Sequence, residues 1–362
     1  KDSHSWLHES QPPRPPGAQR GGWESGGDMR IAATRTGGGK YGAANSIWTP
    51  NVDEAHSPEG RKRFRWNWFR GQPVVVRGAK GRLPWTPDMM MRAARETGGK
   101  NRELEVDVIE CSSQAASDTT IYSFFKGYKD PAHFIHEETN ETLMLKLKDW
   151  PPSDFFDERL PRLNQDFVEM MPLHEYTHPT TGPFNMTGDL PDWVLKPDLG
   201  PKSYIAYGRI KEEKSCDGDS VTKLHLDMSD AINVMLHTQE AVGIKGTGML
   251  GDITWPAPVR GRSGTAPQDP PLWGKAGAVW DIWRREDVPS LKEYLREHVA
   301  DFQHQQRSVE DIGVTHPVHD QVFYMSTWHI EKCKEEKGIE PWRFEQNQDE
   351  AVSRWRWTSS PQ

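Results

Sequence analysis

VTKLHLDMSDAINVMLHT, residues 221–238, alternates apolar and polar side chains and carries several β-branched residues, which is typical of a half-buried β-strand. It contains His225 and Asp227, and side chains two residues apart point to the same face of a strand. An imidazole and a carboxylate would therefore converge on one point. With a distant histidine they would form the facial triad that leaves open coordination positions on Fe(II).

The spacing of this pair is a weak signal by itself. With 14 histidines and 53 acidic residues in 362, about two such pairs arise by chance, and the chain has three. They are His136–Glu138, His225–Asp227 and His329–Glu331. The last pair lies in a predicted helix, where side chains two residues apart diverge. For His225 and Asp227 the alternative is an exposed strand end with ordinary polar side chains.

Around this segment, short strands are separated by long irregular connections, and helices precede and follow them. RFRWNWFRGQPVVVRG (63–78) predicts a short helix, a turn and a strand. Thr86 and Pro87 begin a predicted helix that Gly98 ends. Further strands are predicted at 104–111, 203–210 and 277–283, and further helices at Asp287–His304 and Ser326–Lys337. This order favours a β-barrel or β-sandwich core with helices packed outside it.

Two segments do not fit a packed core. Residues 1–45 are rich in Gly, Pro and Arg and predict a flexible arm, and residues 240–275 predict a long loop insertion. The sequence begins with Lys1 rather than Met, which indicates a fragment of a longer protein.

Composition excludes several classes of protein. Mean hydropathy is −0.81 and no apolar run approaches 18 residues, so no membrane span is expected. Three scattered cysteines exclude a disulfide framework or a Cys-rich zinc finger in this chain, and they fit a reducing compartment. A net charge of −8 gives no strong sign of direct nucleic-acid binding, but it is compatible with a basic peptide as partner.

Nine stretches, in this order along the chain, resemble one subfamily of the JmjC-domain histone lysine demethylases. They are RFRWNWFRGQPVVVRG, LPWTPDMMMRA, LKLKDWPPSDFFDERLPR, HEYTHPTTGPFNM, LKPDLGPKSYIAYG, TKLHLDMSDAINVMLHT, GAVWDIWRREDVPSLKEYL, HPVHDQVFYM and GIEPWRFEQ. The resemblance is strongest to the plant-type branch of the subfamily that removes methyl groups from the mono- and dimethylated ninth-position lysine of histone H3. It covers roughly residues 60–352.

The resemblance implies a mainly β fold with flanking helices, the JmjC double-stranded β-helix, which is a cupin-like jelly roll. It implies the following organisation: an arm at 1–45, an N-terminal mixed helical subdomain at 46–200, the β-helix core at 201–352 with its insertion at 240–275, and a divergent tail at 353–362.

The resemblance also implies an enzyme, a nuclear chromatin and transcription regulator that acts on the histone H3 tail. Such enzymes bind Fe(II) and use 2-oxoglutarate and molecular oxygen for oxidative N-demethylation. His225 and Asp227 match the catalytic metal ligands, and Thr222 and Asn233 match cosubstrate-binding positions; the alternative for Thr222 is a residue chosen for its strand propensity. The animal branch places a lysine for the cosubstrate carboxylate at the position of Val242.

The chain departs from the family after Val352. The family strand reads approximately AVFIPAG-x-PH and ends in the third metal ligand, whereas this chain reads SRWRWTSSPQ, with Ser360 in place of that histidine. We therefore expect the last strands to be missing and this chain to lack demethylase activity. Three alternatives to an active demethylase stay open: a catalytically dead JmjC chromatin scaffold, a JmjC protein hydroxylase and a cupin-like binding module without metal.

Overall fold

The computed structural model describes most of the region from residue 46 onward. The described residues are 29–31, 46–97, 104–111, 113–130, 133–134, 143–152, 155–188, 190–191, 193–194, 200–207, 222–227, 229–239, 276–305 and 307–354. Most of the expected arm, the whole of the expected insertion at 240–275, Val242 and Ser360 lie outside these ranges. The division of the chain at residue 200 stays a prediction.

The elements follow one another in mixed order. The strands are β1 Met29–Ile31, β2 Ser46–Trp48, β3 Val74–Arg77, β4 Glu105–Glu110, β5 Ala116–Thr120, β6 Leu145–Lys148, β7 Tyr204–Ala206, β8 Ala231–Val234, β9 Ala276–Ile282, β10 Gln303–His304, β11 Arg307–Ser308, β12 Trp342–Asn347 and β13 Glu350–Arg354. The α-helices are α1 Val52–His56, α2 Pro58–Phe69, α3 Pro87–Thr97, α4 Ile121–Lys129, α5 Phe156–Arg159, α6 Pro161–Met170, α7 His174–Thr177, α8 Val288–Glu297, α9 Val309–Ile312 and α10 Thr327–Lys337.

The strands form two larger sheets and two strand pairs. The five-stranded sheet has the order β1-β2-β3-β13-β8, and the four-stranded sheet has the order β5-β4-β6-β7. All described pairings are antiparallel except that of β2 with β3. Strands β12 and β9 pair, as do β10 and β11. These sheets with their flanking helices confirm the predicted fold class. No helix in the described ranges combines the length and apolar character needed to cross a membrane.

Strand β3 is buried on both faces, which explains its uninterrupted valines. Val75 and Val352 pack with Trp280 and Phe344 of β9 and β12, whose rings stack with centroids 6.3 Å apart. Val74, Val76 and Ala351 belong to a second cluster under the helices, together with Trp48, Ala55, Phe64, Ala79 and Leu173. One face of the sheet therefore meets β9 and β12, and the other meets α1 and α2.

Local capping signals confirm two predicted helix starts. The Thr86 hydroxyl accepts a hydrogen bond from the Met89 amide at 3.3 Å before α3, and the Ser326 hydroxyl accepts one from the His329 amide before α10. Gly338 ends α10 in the left-handed conformation, with φ of 70°.

The helix predicted over Asp287–His304 is wrong in its last seven residues, 298–304. Helix α8 ends at Glu297, a 3₁₀ turn follows at Val299–Asp301, and Gln303–His304 form β10. The Asp301 amide donates to the His298 carbonyl oxygen at 2.8 Å, which is the tighter bonding pattern of a 3₁₀ turn rather than that of continued α-helix. Phe302 still joins Leu291 and Leu295 in one buried cluster, so the apolar spacing predicted the burial but not the backbone.

His329 of α10 makes folding stability depend on pH. Its ring is fully buried, stacks on Phe302 at 4.0 Å, and has Nδ1 2.8 Å from the Ser326 hydroxyl. Burial lowers the pKa of His329 from its usual 6.5 to about 4. Between those pH values the unfolded chain binds a proton that the folded chain does not. The free energy of unfolding therefore has its full value, as far as His329 is concerned, above pH 6.5. It decreases as the pH falls toward 4, by up to about 3 kcal/mol.

The check is chemical denaturation at pH 7, 5.5 and 4. His329→Gln keeps a polar partner for Ser326 but does not titrate, so its stability should fall less over this range than that of the wild type. The exposed His319→Gln serves as the matched control and should keep the wild-type dependence. The same decrease of the free energy of unfolding with pH in the wild type and in His329→Gln would contradict the role of His329.

Candidate metal and cosubstrate site

The segment 222–227 carries the predicted site, and its backbone differs from the prediction. The strand expected over 221–238 is restricted to Ala231–Val234, and His225 and Asp227 lie outside it in irregular structure. Among the described residues, which end at Arg354, β8 pairs with β13 as far as Ala231, and no described strand supplies a ladder for 222–227. A backbone hydrogen bond from Leu224 to the Phe323 carbonyl at 2.8 Å ties this segment to the loop before α10.

His225 and Asp227 nevertheless converge. Nε2 of His225 lies 3.6 Å from Oδ1 of Asp227. Nδ1 of His225 donates to the Lys223 carbonyl oxygen at 2.8 Å, so the lone pair of the neutral ring is on Nε2, which faces Asp227. Burial lowers the pKa of His225, and the neutral imidazole is the form that binds metals. A backbone carbonyl on the other ring nitrogen is the usual support of a metal-binding histidine.

This donor pair fits two positions around one divalent ion. Metal–ligand distances of about 2.0–2.2 Å place neighbouring ligands roughly 3 Å apart, close to the separation found here. In the described ranges the side chains that could hold a metal as a group of three are Glu297, His298 and Glu336. Within those ranges, therefore, no third imidazole, thiolate or carboxylate joins His225 and Asp227.

Arg354 is a member of this site that the sequence reasoning missed. It is the last residue of β13, it is 7% exposed, and its Nη2 contacts Oδ2 of Asp227. Burial lowers the pKa of Arg354 to about 10, so the guanidinium is still charged at neutral pH. A signal was present: Arg354 follows the fully buried Val352 by two residues, so a strand that continued past Val352 would place both side chains on one face.

Thr222 is paired with a second residue that the sequence reasoning did not single out. Its hydroxyl lies 3.0 Å from the phenol oxygen of Tyr204 on β7. Burial raises the pKa of Tyr204 to about 12, so the phenol is protonated at neutral pH. Tyr204 lies opposite Lys148 in the β6–β7 ladder. Its position in the motif SYIAYG was visible, but only the fold brings it to Thr222.

Asn233 lies on β8, opposite Val352 of β13. Its Oδ1 accepts a hydrogen bond from Nε2 of Gln346 at 3.2 Å, and Oε1 of Gln346 accepts one from Nε1 of Trp280 at 2.8 Å. Because directly paired residues share a face of the sheet, Asn233 faces the same interior as Val352 and Arg354. The cosubstrate roles of Thr222 and Asn233 stay predictions.

The chain is similar to lysine-specific demethylases over most of its length. No protein-family model matches it. It is 37% identical over 342 residues to lysine-specific demethylase JMJ26 of Arabidopsis thaliana, and the match covers 89% of this chain and 38% of that protein. It is 39% identical over 350 residues to JMJ29 of the same plant, with coverage of 89% and 38%. With lysine-specific demethylase 3A of Gallus gallus it is 34% identical over 290 residues, with coverage of 78% and 20%.

The chain thus spans well under half the length of each of these three relatives. In the region that it shares with these proteins, the chain belongs to the JmjC family of lysine-specific demethylases.

Proposed function

We propose that the chain carries the catalytic domain of an Fe(II)- and 2-oxoglutarate-dependent histone demethylase that acts on methylated lysine of the histone H3 tail in the nucleus. The observation that carries the proposal is the convergence of His225 Nε2 and Asp227 Oδ1 at 3.6 Å, in a chain whose relatives are named lysine-specific demethylases. The net charge of −8 is complementary to a basic histone tail, and a role in chromatin and transcription regulation follows from that substrate.

In this proposal His225 and Asp227 hold the iron. When bound, the iron supplies the oxidation of the N-methyl group by molecular oxygen, with 2-oxoglutarate converted to succinate and the methyl carbon released as formaldehyde. The Lys223 carbonyl keeps the His225 ring in the tautomer whose Nε2 binds metal. The buried rings of Trp280 and Phe344 exclude water from the interior that Asn233 faces.

Thr222 and Tyr204 bind the cosubstrate in this proposal. Either hydroxyl of the Tyr204–Thr222 pair can donate to the other. With 2-oxoglutarate bound, the Tyr204 phenol would donate to the Thr222 oxygen, which leaves the Thr222 hydroxyl hydrogen for a carboxylate of the cosubstrate. Asn233 offers its amide hydrogens to the same ligand while Gln346 fixes its oxygen. The family position for the basic partner of the far carboxylate holds Val242 in this chain, and Lys245, three residues further on, lies outside the described residues.

A catalytically inactive chromatin scaffold is the second candidate function. One observation favours it: the Arg354 guanidinium contacts Asp227 and thus shares one of the two metal ligands. Iron content after purification under anaerobic conditions separates the two, because a scaffold of this kind would hold none.

Thr222→Val tests the function together with the cosubstrate site. The assay uses the chain with SRWRWTSSPQ replaced by a family-like closing segment that contains the third ligand, a histidine, because this chain is expected to lack demethylase activity. Excess Fe(II), ascorbate and a dimethylated histone H3 peptide are supplied, and formaldehyde and succinate are measured. We expect formaldehyde only when 2-oxoglutarate is present. Thr222→Val keeps the side-chain shape and loses a hydrogen bond to a charged group worth about 1.5–3 kcal/mol, so the KM for 2-oxoglutarate should rise about 10- to 150-fold.

Thr238→Val, beyond the far end of β8, is the matched control and should leave this KM unchanged. An unchanged KM in Thr222→Val would show that Thr222 is an ordinary structural residue. No formaldehyde in any variant, with succinate also absent, would refute the enzymatic function itself.

A further inference from the structure

Arg354 places a positive charge in the interior of the sheet. It pairs with Ala231 at the end of the β8–β13 ladder. Two residues earlier, Val352 is fully buried against Val75 and Trp280, and alternation along the strand puts Arg354 on that same face. A charged side chain that is 7% exposed on the apolar face of a strand requires a partner of opposite charge.

Asp227 is that partner, and each of its two carboxylate oxygens faces a different side chain. Oδ2 contacts Nη2 of Arg354, whereas Oδ1 faces Nε2 of His225 at 3.6 Å. Nη1 of Arg354 is fully buried and has no hydrogen-bond partner among the described residues. The guanidinium is therefore bound to one carboxylate while its Nη1 is left without a partner among the described residues, which is costly for a buried cation.

We propose that Arg354 lowers the affinity of the metal site, because its guanidinium competes with the divalent metal for Asp227. The inference rests on the proposed function, because it takes His225 and Asp227 as the ligands. A metal ion on Asp227 would stand next to a guanidinium that already neutralises this carboxylate, and the two cations repel each other. Metal binding therefore requires the guanidinium to withdraw from Asp227.

The expected size follows from the population of the withdrawn state. The apparent dissociation constant rises in inverse proportion to the fraction of molecules whose site is open to metal. Leaving a charge-assisted hydrogen bond corresponds to a factor of about 10 to 150. Replacing Arg354 by a shorter, uncharged residue should lower the dissociation constant of the metal by that factor.

The test uses the full chain with Mn²⁺ as the probe, and the dissociation constant is measured by isothermal titration calorimetry. Arg354→Leu should bind Mn²⁺ about 10- to 150-fold more tightly than the wild type. Arg354→Gln removes the charge but keeps a polar group, and it should tighten binding in the same direction if the Leu variant is poorly folded.

Arg343→Leu is the matched control. Arg343 is also buried on a strand, with Nε 3.6 Å from an Asp281 carboxylate oxygen and Nη1 donating to Thr327, so its loss removes a comparable pair outside the site. It should leave the Mn²⁺ affinity unchanged, and circular dichroism verifies that each variant is folded.

Equal or weaker Mn²⁺ binding by both folded Arg354 variants overturns the competition. If His225→Ala still lowers the affinity in that case, the proposed metal site stands and only the role of Arg354 falls. If His225→Ala also has no effect on Mn²⁺ binding, the metal site and with it the proposed function fall.

Discussion

His225→Ala is expected to weaken binding of Mn²⁺ or Fe²⁺ by more than about 100-fold. In the chain with the family-like closing segment it is expected to remove 2-oxoglutarate-dependent formaldehyde release. Loss of a residue that only supports a ligand already costs about 10- to 100-fold in metal affinity, and His225 is placed as a ligand itself. Its Nε2 lone pair is one of two donors that the described residues supply at this point, the other being Asp227. With one donor left, a divalent ion has no chelating pair.

The measurement is metal titration by calorimetry, followed by the formaldehyde assay at saturating iron. His319→Ala is the control, because His319 is an exposed histidine whose backbone amide donates to the ring of His316. It should match the wild type in both assays. Undiminished metal affinity in folded His225→Ala would remove this residue from the site.

Trp280→Ala is expected to lower the free energy of unfolding by about 3–5 kcal/mol or more. The side chain is 1% exposed and belongs to the cluster between the paired strands β9–β12 and the five-stranded sheet. Truncating a buried aromatic residue typically costs this much through lost burial and the cavity left behind. The change also leaves the buried Oε1 of Gln346 without its donor, which adds about 1–3 kcal/mol.

Two companion variants separate these contributions in chemical denaturation followed by circular dichroism. Trp280→Phe keeps most of the ring and loses only the donor, so it should show a minor part of the loss. Trp328→Ala removes a tryptophan that is 39% exposed and lies over Lys332 at 4.7 Å, and it should cost about 1 kcal/mol or less. A loss in Trp280→Ala no larger than that of Trp328→Ala would contradict this account of the core.

The effect of Trp280→Ala should reach the candidate site. Gln346 donates through Nε2 to Asn233 and to the Glu350 carbonyl oxygen, so loss of Trp280 leaves those bonds but removes the donor that orients Oε1 and weakens the hold on the Asn233 amide. The stability of the core and the order of one cosubstrate position are thus joined through a single buried side chain.

Local chemistry determined much of the fold from sequence alone. Thr86 and Ser326 cap the helices that they were predicted to cap, because a hydroxyl acts on amides two or three residues away. The run Val74–Val76 and most of the segment 277–283 form the predicted buried strands, because burial removes their apolar side chains from water. Nine ordered stretches likewise predicted the family that the relatives confirm.

Tertiary structure alone decided the state of the site. The alternation of apolar and polar residues predicted a strand through His225 and Asp227. A strand forms only where a neighbouring strand supplies its hydrogen bonds, and among the described residues the β8–β13 pairing ends at Ala231. Arg354 contacts Asp227 although more than a hundred residues separate them in sequence, and Tyr204 contacts Thr222 across eighteen residues. The sequence by itself singled out the candidate residues His225, Asp227, Thr222 and Asn233. Which charge stands beside Asp227 depends on how distant strands align, and that is a property of the packed sheet and not of any local segment.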